Sequence, residues 1–65
     1  MTKDEAIQAM REGKKVTHKY FTPDEWVTME GDEILLEYGV RCDEYEFWKW
    51  RTSPIYETGW SLYVA

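Results

Sequence analysis

Residues 43–51, DEYEFWKWR, place Tyr45, Phe47, Trp48 and Trp50 beside Arg51, four rings and a guanidinium within nine positions. Rings of this kind are flat stacking surfaces, worth about 1–3 kcal/mol for each base they stack. An arginine among them can grip a phosphate or carboxylate through two parallel hydrogen bonds. Aromatic residues and arginine are also the side chains that dominate interface hot spots. This chemistry is binding. Trp48, Trp50 and Arg51 are the leading candidates, followed by Trp26, Tyr20 and His18. Of Trp48 and Trp50, one is expected to pack into the core and the other to remain outside it.

Catalysis has little to draw on. His18 is the only histidine and Cys42 the only cysteine, so neither a Cys/His zinc site nor an internal disulfide can be assembled. No nucleophile lies near His18 in sequence for it to activate, and a solitary strand-end histidine is more often a surface or packing residue than a base. A lone cysteine is more often a small buried hydrophobe than a nucleophile. The adjacent acids Asp43/Glu44 and Asp32/Glu33 fall where capping and turns account for them. The four glycines are isolated, so there is no Gly-rich phosphate loop. The expectation is a non-enzyme with no cofactor and no metal.

Length and charge set further bounds. Sixty-five residues make a single domain, 1–65, that buries only about 60% of its unfolded surface. Eleven aromatic residues (four Trp, five Tyr, two Phe) supply dense packing or a self-association surface, the supports small scaffolds use. The composition fits either. No stretch approaches the roughly 20 apolar residues of a membrane span, and the charged start lacks the apolar core of a signal peptide. A cytoplasmic protein with no membrane partner is expected. The net charge of −5 is uneven: residues 1–23 carry five Lys/Arg against three acids, and residues 24–65 carry ten acids against three Lys/Arg. Phosphate neutralisation needs a basic face, so direct nucleic-acid binding is not expected. An acidic segment, 24–46, could instead occupy a basic groove, although such acids most simply keep an aromatic-rich chain soluble.

These side chains need a frame. Thr2 and Glu5 form a T-x-x-E capping box, Ala6, Ile7 and Met10 an inward stripe, and Gly13 a stop, predicting a helix over 3–12. Residues 14–20 read as a short strand around Val16 and Thr17, ended by Pro23. EWVTME (25–30) and EILLEY (33–38) flank Gly31-Asp32, a type II′ hairpin signal. The turn sets Glu30 opposite Glu33, Met29 opposite Ile34 and Val27 opposite Leu36, so Val27, Met29, Ile34 and Leu36 form a core face. Trp26 and Leu35 become an exposed apolar spot on the other. The chain then turns through Gly39. Residues 43–51 alternate like a strand, yet Asp43 with Glu46 caps a helix and Ser53-Pro54 stops one; the helix is the reading adopted. A last strand, 59–65, should turn Trp60, Leu62 and Val64 inward. The fold class is α+β: an N-terminal helix packed on a small antiparallel sheet of about four strands, with a short aromatic helix before the last strand.

EAIQAMREGKKVTHKYF, EWVTM, EYGV and GWSLY, in that order, resemble small phage and prophage proteins of unknown function, with an opening A-(apolar)-x-x-(apolar)-x-x-G-K-x-V and a closing Trp strand. The likeness extends to phage Thoeris anti-defence proteins that sequester cyclic nucleotide-like signals. The resemblance implies a compact α+β unit, assembly as a homo-oligomer, and a ligand trapped between protomers without hydrolysis. It assigns no site residue. Three functions follow as expectations: a counter-defence binder of a nucleotide-derived signal or a host defence protein; an acidic inhibitor in the basic groove of a CRISPR or restriction enzyme; or a structural interaction module without a ligand.

Overall fold

The first helix begins with a reciprocal exchange of hydrogen bonds. Glu5 N–H donates to Thr2 Oγ1 at 3.2 Å and Thr2 N–H donates to Glu5 Oε1 at 2.8 Å, so two donors without intrahelical partners are satisfied at the start of α1 (Lys3–Arg11). The bond from the Thr2 backbone holds the Glu5 carboxyl below its usual pKa. At the other end Gly13 N–H donates to Met10 O and Lys14 N–H to Ala9 O, a Schellman closure. Ala6, Ala9 and Met10 are buried and Ile7 packs at their margin, which adds Ala9 to the expected stripe.

The computed structural model describes residues 1–64. After α1 come β1 (Val16–His18), β2 (Val27–Glu30), β3 (Glu33–Leu36), β4 (Arg41–Asp43), α2 (Glu44–Lys49), a single 3₁₀ turn (Pro54–Tyr56) and β5 (Trp60–Leu62). The strands form one antiparallel sheet in the order β4-β3-β2-β1-β5. The α+β architecture is the expected one, with the sheet one strand wider. Strand β4 is the addition. Its three residues continue from the Gly39 turn and pair Ile34 with Cys42 and Leu35 with Arg41, a run too short and too charged to announce itself.

The β2–β3 hairpin has the expected register: Val27 faces Leu36, Met29 faces Ile34, and Glu30 faces Glu33. Gly31 has φ +67° and, among the described residues, no non-glycine residue has positive φ, which fits type II′, where only the first turn residue is left-handed. Val27, Met29 and Ile34 are buried. Helix α1 lies over β1, β2 and β5, and α2 over β3 and β4, so both helices cover one face of the sheet.

Two expectations about the strands are corrected. Trp60 alone of the last strand turns into the core, at 2% exposure, whereas Leu62 is 49% and Val64 87% exposed. β5 is the edge strand, paired only with β1, and its later residues are left uncovered. Ala65, the end of the expected 59–65 strand, lies outside the described residues. Trp26 and Leu35 are half-buried rather than an exposed spot. The Lys15 ammonium lies 4.2 Å from the Trp26 ring centroid and Tyr63 stands 6.3 Å away. Arg41 reaches across β3 to Glu30 at 2.6 Å, passing over the strand that carries Leu35.

An aromatic cluster completes the core where aliphatic residues run out. Trp60 is its hub, with ring centroids of His18 at 4.8 Å, Trp48 at 5.5 Å and Phe21 at 5.6 Å. Its indole N–H donates to Tyr56 O at 2.8 Å, so the ring is buried without stranding its polar atom. Phe47, also buried, meets Trp48 edge-on at 4.9 Å.

Candidate functional site

Segment 43–51 is helical only over α2. Asp43 ends β4 and caps α2, accepting from Tyr45 N–H at 2.8 Å. Six helical residues then divide the rings by angle. Phe47 goes under, Trp48 lies half-buried beside it, and Tyr45 and Trp50 are left 71% and 75% exposed. Trp48 thus packs against the core, short of full burial, and Trp50 stays outside it.

The six candidate residues do not converge. Arg51 turns back onto its own helix, donating from Nη1 to Phe47 O at 3.0 Å with its guanidinium 4.0 Å from the Phe47 ring centroid. It caps α2 and shields the core. His18 is buried, and its Nε2 lies 2.9 Å from Ile55 O and 2.8 Å from Thr58 O. Tyr20 N–H donates to Nδ1 at 3.1 Å. One ring nitrogen faces only acceptors and the other faces a donor, which specifies the neutral Nε2–H tautomer. His18 therefore fastens the 53–59 loop to β1. Gly59, at φ +89°, passes so close that a Cβ there would stand 3.0 Å from His18 Nε2. Tyr20 is exposed beside Lys19, and Trp26 sits across the sheet from α2.

Lysines lid the surface rings. Lys3 covers Trp48 at 4.7 Å, Lys15 covers Trp26, Lys19 covers Tyr20 at 5.2 Å and Lys49 covers Trp50 at 5.4 Å. Each places a cation within about 6 Å of a ring centroid, the reach of a cation–π contact. Lys3 stands out because it occupies the first position of α1, where the helix dipole disfavours a cation. Its contact is with Trp48, not with its own helix.

Between the helices lies a groove of about 580 Å³, lined by Lys3 and Ile7 of α1, Tyr45, Trp48 and Lys49 of α2, and Thr52. The Arg11–Glu44 ion pair, at 3.3 Å, ties the end of α1 to the start of α2, while Lys3 meets Trp48 at the opposite ends. The helices thus run antiparallel along the groove. Glu44, the one carboxylate on the lining, is engaged by Arg11. Among the described residues neither Lys3 nor Lys49 has a carboxylate partner. The result is an apolar, aromatic floor between two free cations. Trp48 Nε1 is buried and has no acceptor among the described residues.

No family model, curated protein or solved structure matches the chain.

Two further features bear on chemistry. Burial pushes the Cys42 thiol above its usual pKa, which disfavours the thiolate and hence nucleophilic reaction at neutral pH. On the sheet face away from the helices, Glu30, Glu33 and Asp43 are register partners in a row across β2, β3 and β4. Among the described residues no three His, Cys, Asp or Glu side chains gather as a metal site, and no helix is long and apolar enough to cross a membrane.

The groove was only partly foreseeable. Trp48 was singled out by its neighbours in sequence, but Lys3, Ile7 and Lys49 join it through the packing of α1 on α2. A lysine at the unfavourable end of a well-capped helix was the available signal.

Proposed function

We propose that this chain is a small non-catalytic binding protein, acting in the cytoplasm as a homo-oligomer, that holds a flat anionic small molecule in the groove between its two helices. The observation that carries the reading is the composition of that groove: Ile7, Tyr45 and Trp48 line it with the Lys3 ammonium over Trp48, and Lys49, which has no carboxylate partner among the described residues, lies on the same lining. Flat apolar contact and two positive charges match an aromatic ring joined to a phosphate or carboxylate. The groove volume of about 580 Å³ falls within the range of small-molecule sites. A nucleotide-derived signal has this chemistry, and the resemblance to phage anti-defence proteins makes sequestration of such a signal the role proposed. Thermal unfolding in the presence of cyclic nucleotides and ADP-ribose derivatives tests it. A ligand at 100 times its Kd is expected to stabilise the protein by about 2.7 kcal/mol; no shift with any of the panel overturns the reading.

A second reading is favoured by the row Glu30, Glu33 and Asp43, where like charges face one another across three strands and, among the described residues, Arg41 on Glu30 is the one ion pair. Facing like charges are unfavourable within a sheet, so a basic protein partner would relieve them. An acidic inhibitor of a nucleic-acid enzyme would use this face. Its binding is expected to weaken steeply as salt rises from 0.05 to 0.5 M, on the order of tenfold or more. Salt-insensitive affinity for a basic nuclease contradicts it.

A further inference from the structure

The groove between the helices has unlike ends. Lys3, Ile7 and Arg11 are spaced four residues apart on α1, and Glu44 and Trp48 four apart on α2, so each set lies along one face of its helix. Lys3 over Trp48 and Arg11 against Glu44 join the two faces. Lys3 and Arg11, at the two ends of α1, stand about 12 Å apart along its axis. Lys49 closes α2, and Thr52 follows it, so both lie toward the Lys3 end. The cations of the lining therefore share one end of the track, and its carboxylate stands at the other.

That carboxylate is half engaged. Glu44 Oε2 accepts from Arg11 Nη2 at 3.3 Å, while Oε1 has no hydrogen-bond partner among the described residues. The Glu44 side chain is 29% exposed, so it is held against the lining. A bare carboxylate would repel an anion in the same groove; the Arg11 guanidinium offsets its charge and fixes one oxygen, which leaves the other as an acceptor. An ionised carboxylate accepts and never donates, so whatever meets Oε1 must supply an N–H or O–H. Asp43 already caps α2, so capping does not account for Glu44.

We infer that Glu44 reads the edge of the bound ring: the ligand lies along the groove with its anionic group at Lys3 and Lys49, its flat face on Trp48, and an N–H-bearing edge donating to Glu44 Oε1. The ligand class is an amino-substituted aromatic ring joined to a phosphate or carboxylate. The inference rests on the groove reading above and narrows it to rings with a donor edge. A site arranged to bond a ligand N–H discriminates against the analogue lacking it, because its acceptor is then left dehydrated and unpaired.

Isothermal titration of the full chain with cyclic adenosine monophosphate and with cyclic purine riboside monophosphate tests it. The second differs from the first only in carrying hydrogen where adenine carries its amino group. The expected result is binding of the amino-bearing nucleotide at least about tenfold tighter. Glu44→Ala should abolish that preference. Arg11→Gln breaks the ion pair but keeps the carboxylate, so it should retain the preference, which separates an acceptor for the ligand from a tie between the helices. Equal affinity of the wild-type protein for the two nucleotides overturns the inference and leaves the groove reading standing. So does a preference that survives Glu44→Ala. Binding of neither nucleotide also overturns the inference, and the groove reading falls with it only if the other cyclic nucleotides and the ADP-ribose derivatives fail to bind as well.

Discussion

Trp60→Ala is expected to cost about 3–5 kcal/mol, the range for removing a large buried aromatic side chain. A domain of this length holds a net stability of only about 3–10 kcal/mol, so the variant should sit near or beyond its folding midpoint at 25 °C. The size of the effect follows from where the ring lies. Trp60 touches His18, Phe21, Trp48 and Tyr56, its N–H is bonded to Tyr56 O, and its backbone is tied to Met1. No neighbour is free to fill the space, because each is anchored in another element. Urea denaturation followed by circular dichroism measures the loss. Trp50→Ala is the matched control: that ring is largely exposed and lidded by Lys49, so its loss should move stability by no more than about 0.5 kcal/mol. Equal effects for the two variants would show that the aromatic cluster is not what holds the sheet and helices together.

His18→Ala is expected to be nearly as damaging, at about 3 kcal/mol, since each buried group left without a partner costs about 1–3 kcal/mol. The acceptors Ile55 O and Thr58 O and the donor Tyr20 N–H would all lose the imidazole. His18→Phe separates the two contributions. It keeps a ring against Trp60 and Tyr56 but strands the same three backbone groups, so a loss of about 3 kcal/mol or more is expected from the hydrogen bonds alone. If His18 fastens the loop rather than meeting a ligand, the folded fraction of either variant keeps the groove's affinity. A folded, stable His18→Ala protein that no longer binds would assign the residue to the site instead.

Local signals in the chain describe the frame well, and for physical reasons. The Thr2/Glu5 box, the Gly31-Asp32 turn and the Asp43 cap are decided by residues within four positions of one another, and the hairpin turn then dictates register along both strands. Features that depend on distant packing were not legible. The exposure of Leu62 follows from β5 being the edge strand of the sheet, which its own residues do not announce. Arg51, read as a ligand-gripping side chain, found a closer acceptor in Phe47 O, four residues back on its own helix. His18 meets its acceptors 37 and 40 residues away, a pairing that no spacing rule reveals. Of the candidate site, Trp48 was marked by composition, whereas its partners Lys3 and Ile7 lie more than forty positions earlier in the chain.

The surplus of rings in residues 43–51 thus separates into distinct roles. Phe47 and Trp48 extend the core, Arg51 closes over Phe47, and Lys49 lids Trp50. Trp48 has a second duty, because the Lys3 ammonium above it is held by the ring and by no carboxylate among the described residues. An anionic aromatic ligand would take the place of that contact, stacking on the floor and pairing with the freed lysine.

Isothermal titration of wild-type protein and of the Lys3→Gln/Lys49→Gln variant with cyclic nucleotides and ADP-ribose derivatives tests this account most directly. Lys49 is exposed and Lys3 half-buried, and neither has a carboxylate partner among the described residues, so the variant should fold as the wild type does. The account predicts binding by at least one of these anions, weakened about tenfold or more in the variant, the loss of one or two charge-assisted contacts. Binding of equal strength in both proteins, or no binding in either, would contradict it.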